Sequence, residues 1–106
     1  MEAAIESGVQ KIRNSSMRKK MVLIVDDSAD LLELFKIVLE MDDYEVFTAL
    51  SGESAFSVFT KIGQPDLILL DLQMADMSGS EFLVQLEEKQ PEIFEKVPVV
   101  FLTGMG

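Results

Sequence analysis

The chain has 106 residues, 48% of them apolar, and nine Lys and Arg against nineteen Asp and Glu give a net charge of −10. That is enough for one small packed domain and excludes wholesale disorder. With no Cys and no His, a disulfide framework, a thiolate metal site and an imidazole base are all ruled out, and no apolar run reaches membrane-spanning length.

Residues 1–20 hold five basic and two acidic side chains, a net of +3, and the remainder carries −13. An acidic body repels nucleic-acid backbones, so direct nucleic-acid binding is not expected, and a basic membrane-surface helix is poorly supported because the N-terminal stripe lacks large aromatics. The N-terminus lacks a signal-peptide apolar run, which points to the cytoplasm. Within residues 1–20, Ile5, Val9 and Ile12 lie on one helical stripe, weakened by Gly8 and by Asn14-Ser15-Ser16. This segment reads as a basic, amphipathic extension: either a frayed arm or a short helix docked on an apolar face.

Met21 to Val25 is an uninterrupted apolar run that ends in Asp26-Asp27-Ser28. Ser28 or Asp27 can cap the helix that follows. From Asp30 to Met41, the residues Leu31, Leu34, Phe35, Val38 and Met41 form the predicted buried stripe, with Glu33, Lys36 and Glu40 outside it. Tyr44 to Ala49 is a further strand candidate with partial alternation. Ser51-Gly52-Glu53 opens a helix whose apolar face is Ala55, Phe56, Phe59 and Ile62, and Gly63-Gln64-Pro65 ends it. Leu67 to Leu70 reads as a strand buried on both faces, closed by Asp71. Gln73 to Gly79 is turn-rich. Ser78 or Ser80 opens a helix carrying Phe82, Leu83 and Leu86, which Pro91 stops, and Ile93 and Phe94 add a short turn. Val97 to Leu102 is the last apolar run, followed by Thr103-Gly104.

The order βαβαβαβ implies right-handed crossovers and a parallel α/β sheet with helices on both faces. Three of the four strands then end in oxygen-bearing side chains: Asp26 and Asp27, Asp71, and Thr103. In a parallel sheet these ends share one edge, where open α/β sheets place their ligands. Helix capping and a favourable helix dipole explain one acid of the Asp26-Asp27 pair but not two. If those three strands are neighbours, three carboxylates and a hydroxyl converge in one crevice and need a counter-cation, and an all-oxygen donor set suits Mg²⁺. Asp71 is placed to attack phosphorus as a carboxylate nucleophile.

Residues 21–104 resemble the receiver domain of two-component response regulators, on the stretches VLIVDDS, PDLILLDLQMADMSG and VPVVFLTG. The resemblance implies a flavodoxin-like (CheY-like) fold with strand order 2-1-3-4-5. It also implies phosphorylation of Asp71 by a sensor histidine kinase, a phosphotransfer protein or a small phosphodonor, with Mg²⁺ as cofactor. Asp27 then matches a direct metal ligand, Asp26 one acting mostly through water, and Gln73 the residue whose backbone carbonyl reaches the metal. Thr103 matches the hydroxyl that turns to the phosphoryl group during switching, and Gly104 a position kept small.

Two departures matter. Ala75 stands where the family pattern has proline. The family also continues through a further helix, strand and helix, with a phosphate-pairing lysine, and the sequence to Gly106 holds none of these. The resulting expectation is an extension over residues 1–20 and a truncated receiver over residues 21–106. Its exposed Val97 strand edge and bare helix face would favour a homo-oligomer. The alternative is a dimerisation or binding module that keeps the acidic pocket but is impaired in phosphorylation. An enzyme is not expected: the DxDxT pattern of aspartate-nucleophile phosphatases fails at Asp26-Asp27-Ser28-Ala29-Asp30.

Overall fold

The computed structural model describes residues 18–102. The Ile5/Val9/Ile12 stripe, Thr103 and Gly104 lie outside the described residues. The elements in order are β1 (Met21–Val25), α1 (Ala29–Met41), β2 (Glu45–Ala49), α2 (Gly52–Ile62), β3 (Leu67–Asp71), α3 (Gly79–Lys89), α4 (Pro91–Lys96) and β4 (Val99–Leu102). The four strands pair in parallel in the order β2-β1-β3-β4. This is the expected order, with β1 and β3 central and β4 at an edge.

Serine starts three of the helices. Ser28 Oγ accepts from the Leu31 N–H at 3.3 Å, so Ser28 and not Asp27 caps α1. Ser51 and Ser54 form a reciprocal capping box on α2. Ser78 and Glu81 form another on α3: Ser78 Oγ accepts from the Glu81 N–H at 3.0 Å, and the Ser78 N–H donates to Glu81 Oε1 at 2.9 Å. Each cap satisfies backbone donors that the first helical turn leaves unpaired, a contribution of about 1 kcal/mol. Gly63 ends α2 at φ +78°, a left-handed conformation that needs no Cβ. Pro91 does more than stop α3, because it opens α4 at a position where the missing N–H costs nothing.

The sheet separates two cores. On one face Leu23, Val25, Ile68 and Leu70 pack with Ala55 and Phe59 of α2, Phe82 and Leu86 of α3, and Ile93 of α4. On the other, Val22, Ile24 and Val46 pack with Leu32 of α1, and Phe35, Leu39, Leu67, Leu69 and Leu102 are only partly buried there. β1 is the strand buried on both faces. The expectation that β3 is equally buried needs correcting, since its residues alternate between buried Ile68 and Leu70 and half-buried Leu67 and Leu69.

The predicted stripe of α1 is also corrected. Leu31, Leu34, Val38 and Met41 are 36%, 54%, 52% and 82% exposed. The face on the sheet is Leu32, Phe35 and Leu39. Residues 31–41 are apolar almost all round, so periodicity alone cannot choose the inward side. One sheet face meets one side of a helix, and the other side keeps its apolar residues in solvent.

Candidate metal and phosphoacceptor site

Register places the acids together. Val25 of β1 pairs with Leu70 of β3, so Asp26 and Asp71, one residue further on each, leave adjacent strands side by side at the C-terminal edge. One carboxylate oxygen from each of Asp26, Asp27 and Asp71 lies within 4.8 Å of the others. Thr103 lies outside the described residues; Leu102, the residue before it, pairs with Asp71.

The three acids differ in setting. Asp26 is 4% exposed, Asp71 half-buried and Asp27 exposed. Burial pushes the Asp26 carboxyl above its ordinary value, and the charges of Asp71 and Asp27 push the same way, opposed by the Ser28 N–H. Each acid accepts one backbone N–H: Ser28 to Asp26 Oδ1 at 2.9 Å, Gln73 to Asp71 Oδ1 at 3.4 Å, and Ala75 to Asp27 Oδ2 at 3.0 Å. The ion pairs among the described residues, Lys19–Asp43 and Lys36–Glu40, both lie outside this cluster. Three carboxylates this close, with no ammonium or guanidinium paired to them among the described residues, form a strong oxygen-donor set. Their charge and hardness fit Mg²⁺. Because Ser28 takes the capping role, Asp27 has no capping explanation.

The contrast with Asp66 is instructive. It stands at the start of β3, where its carboxylate accepts from the Met21 N–H at 2.7 Å and its own N–H donates to the Met21 carbonyl at 2.8 Å. Asp66 ties two strand beginnings together. The same residue type five positions later, at the strand's other end, joins a charge cluster instead.

The loop after Asp71 is held from several directions. Gln73 bridges Ser78 in antiparallel fashion, and the Gly79 N–H donates to the Leu72 carbonyl at 2.7 Å. A Cβ at Gly79 would meet the Asp71 carbonyl oxygen at 2.9 Å and the Phe101 ring at 3.0 Å. Asp76 turns away from the cluster to cap α2, accepting from the Gly52 and Glu53 N–H groups at 3.1 and 3.0 Å. Although partial desolvation acts upward, those two donors hold Asp76 below the ordinary carboxylate value. Sequence reasoning marked Ala75 only as a departure from the family pattern and gave no role to Asp76 or Gly79. The only available signal was that all three fall within the quoted stretch around Asp71.

A parallel sheet in this order, with an acid cluster at its C-terminal edge, defines a flavodoxin-like, CheY-like fold with a site at the strand ends. Comparison with known proteins agrees. Residues 22–106 match the model of the response regulator receiver domain. The chain is 38% identical over 87 residues to the phosphate regulon transcriptional regulatory protein PhoB of Pseudomonas aeruginosa, covering 82% of this chain and 37% of that protein. It is 33% identical over 90 residues to sporulation initiation phosphotransferase F of Bacillus subtilis, covering 85% of this chain and 68% of that one. A crystal structure of the response regulator TrrA of Thermotoga maritima, in complex with Mg²⁺-BeF, superposes with a TM-score of 0.63 at 27% identity, covering 81% of this chain and 89% of that one.

The chain belongs to the response regulator receiver family, whose members are signalling modules of two-component systems. It spans little more than a third of the length of PhoB. No helix among the described residues is long and apolar enough to cross a membrane.

Proposed function

We propose that this chain is a phosphoacceptor module in which Asp71 takes a phosphoryl group from a histidine kinase, a phosphotransfer protein or a small phosphodonor. The observation that carries this reading is the convergence of Asp26, Asp27 and Asp71 within 4.8 Å. An Asp71 oxygen forms the new bond to phosphorus while the bond to the donor's imidazole nitrogen breaks, and the departing imidazole takes up a proton. Mg²⁺, when bound, would offset the negative charge of the carboxylates and of the incoming phosphoryl group. Asp26, Asp27 and Asp71, with the Gln73 carbonyl, would hold it. Asp26, being buried, fixes one wall of the site, and exposed Asp27 faces incoming solvent. Thr103 is assigned the hydroxyl that meets the phosphoryl group. In this reading residues 1–20 are an extension, residues 21–106 form the receiver, and the module works in the cytoplasm without an enzymatic activity of its own beyond gaining and losing phosphate.

Intact-mass measurement after incubation with Mg²⁺ and acetyl phosphate tests the reading. One added phosphoryl group is expected in the parent and none in Asp71→Asn, whose amide keeps the shape but is a poor nucleophile. Uptake by the variant would remove Asp71 from the role.

A second reading, of a dimerisation or binding module, rests on the open side of the sheet. Leu34, Ile37, Val38 and Met41 of α1 and Val100 of the edge strand β4 are exposed apolar residues. Such a surface, beside a strand edge that has no partner among the described residues, favours self-association. Light scattering at micromolar concentration is expected to show a homo-oligomer that Ile37→Glu disrupts; a monomer in the parent sinks this reading.

A further inference from the structure

Of the three backbone N–H groups that serve the acid cluster, two are local: Ser28 and Gln73 each lie two residues from the acid they serve. The third is not. Ala75 reaches across 48 residues to Asp27 Oδ2 at 3.0 Å, tying the β3–α3 loop to the end of β1. Its seat is fixed by its neighbours. Asp76 is anchored on the Gly52 and Glu53 amides. The Met77 thioether fills the space beside Gly52, where a Cβ would lie 2.5 Å from the sulfur. Proline has no N–H, so the residue the family pattern carries after Met74 could not make this bond. The departure to alanine is what supplies the donor.

We propose that the Ala75 main-chain N–H is a positioning donor that acts as a built-in counter-charge for Asp27, and that it sets back the affinity of the cluster for Mg²⁺. This rests on reading the cluster as a Mg²⁺ site. A hydrogen bond to a carboxylate is strong because the acceptor is charged. A carboxylate that gives its charge to a divalent cation is a poorer acceptor. The amide and the cation therefore draw on the same charge, and what one gains from Asp27 the other loses.

The test is Mg²⁺ titration followed by ¹H–¹⁵N spectra and by calorimetry, neither of which depends on phosphorylation. In the parent, the Ala75 amide proton is expected to move upfield as Mg²⁺ saturates, as its hydrogen bond weakens. Ala75→Pro removes the donor and is expected to tighten Mg²⁺ binding by about three- to tenfold, a part of the contribution of a hydrogen bond to a charged group. Ala75→Gly keeps the donor and is the reference against which the proline effect is read. A folded Ala75→Pro protein with unchanged or weaker Mg²⁺ affinity overturns the inference. If that variant does not fold, the parent amide decides: an upfield shift supports the inference, and an unmoved or downfield-shifted amide overturns it. Resonances of Asp26, Asp27 and Asp71 that respond to Mg²⁺ while Ala75 does not would leave the metal site standing and remove only this inference. Silence of all of them would remove both.

Discussion

On one face of the sheet, three helices bury Phe59, Phe82, Leu86 and Ile93 almost completely. On the other, α1 is the one helix that covers the strands among the described residues, and Leu34, Ile37, Val38 and Met41 on it are half or more exposed. Among the described residues three helices meet one face and one helix meets the other, and a helix covers only a strip of sheet. The edge strand shows the same asymmetry. Val99 packs into the closed core, Leu102 is partly buried on the α1 side, and Val100 between them is exposed. Apolar residues on the closed face therefore carry stability, and those on the open face are available for contact with something else.

The sharpest way to break this comparison is to truncate both faces. Phe82→Ala removes a fully buried ring and is expected to cost about 3–5 kcal/mol, enough to unfold a domain of ordinary marginal stability. Leu34→Ala, of comparable chemistry on the open face, is expected to change chemical denaturation of the monomer by only about 0.5 kcal/mol. Equal effects would mean the open face is covered in solution.

Gly79→Ala probes where the closed face reaches the site. The new methyl would lie 2.9 Å from the Asp71 carbonyl oxygen, and backbone does not yield easily. A loss of about 1–3 kcal/mol is expected in denaturant melts.

A smaller effect of opposite sign is expected at the acid cluster. The Asp26 carboxyl is raised above 3.8 by burial and by its acidic neighbours. A raised acid binds more protons folded than unfolded. Its favourable contribution is thus fully present below its unfolded value and is lost as pH rises through the folded one. Asp26→Asn should raise the melting temperature near neutral pH and remove that part of the pH dependence. Asp76 has the opposite sign: its carboxyl is held low by the α2 amides, so the stability it gives is present above 3.8 and fades as pH falls through its folded value. Asp76→Ala should therefore destabilise at neutral pH and less so in acid, read as a melting-temperature difference that narrows on acidification.

Much of the site was legible in one dimension because its signals are local. An apolar run that stops at an acid reads as a buried strand whose end meets solvent, and two such ends in a βαβ order lie on one sheet edge. Asp71, Asp26 and Asp27 were accessible in that way, whereas the order of strands, and with it their adjacency, came from the family resemblance. The inward side of α1 was not, because Leu31, Leu32, Leu34, Phe35, Ile37, Val38 and Leu39 offer more apolar surface than one sheet contact can take, and pattern does not say which part is used. The choice of Ser28 over Asp27 as cap was also open, since both residue types can accept from a first-turn amide.

What the sequence determined by itself is the alternation of elements and the chemistry at their ends, because hydrophobic period, caps and turn residues act over a few positions. Tertiary structure alone decided which face of α1 is buried, that Ala75 serves Asp27 and that Asp76 serves α2, because those contacts join residues between 23 and 48 positions apart. Such contacts exist only once the sheet has set the distance between the loops.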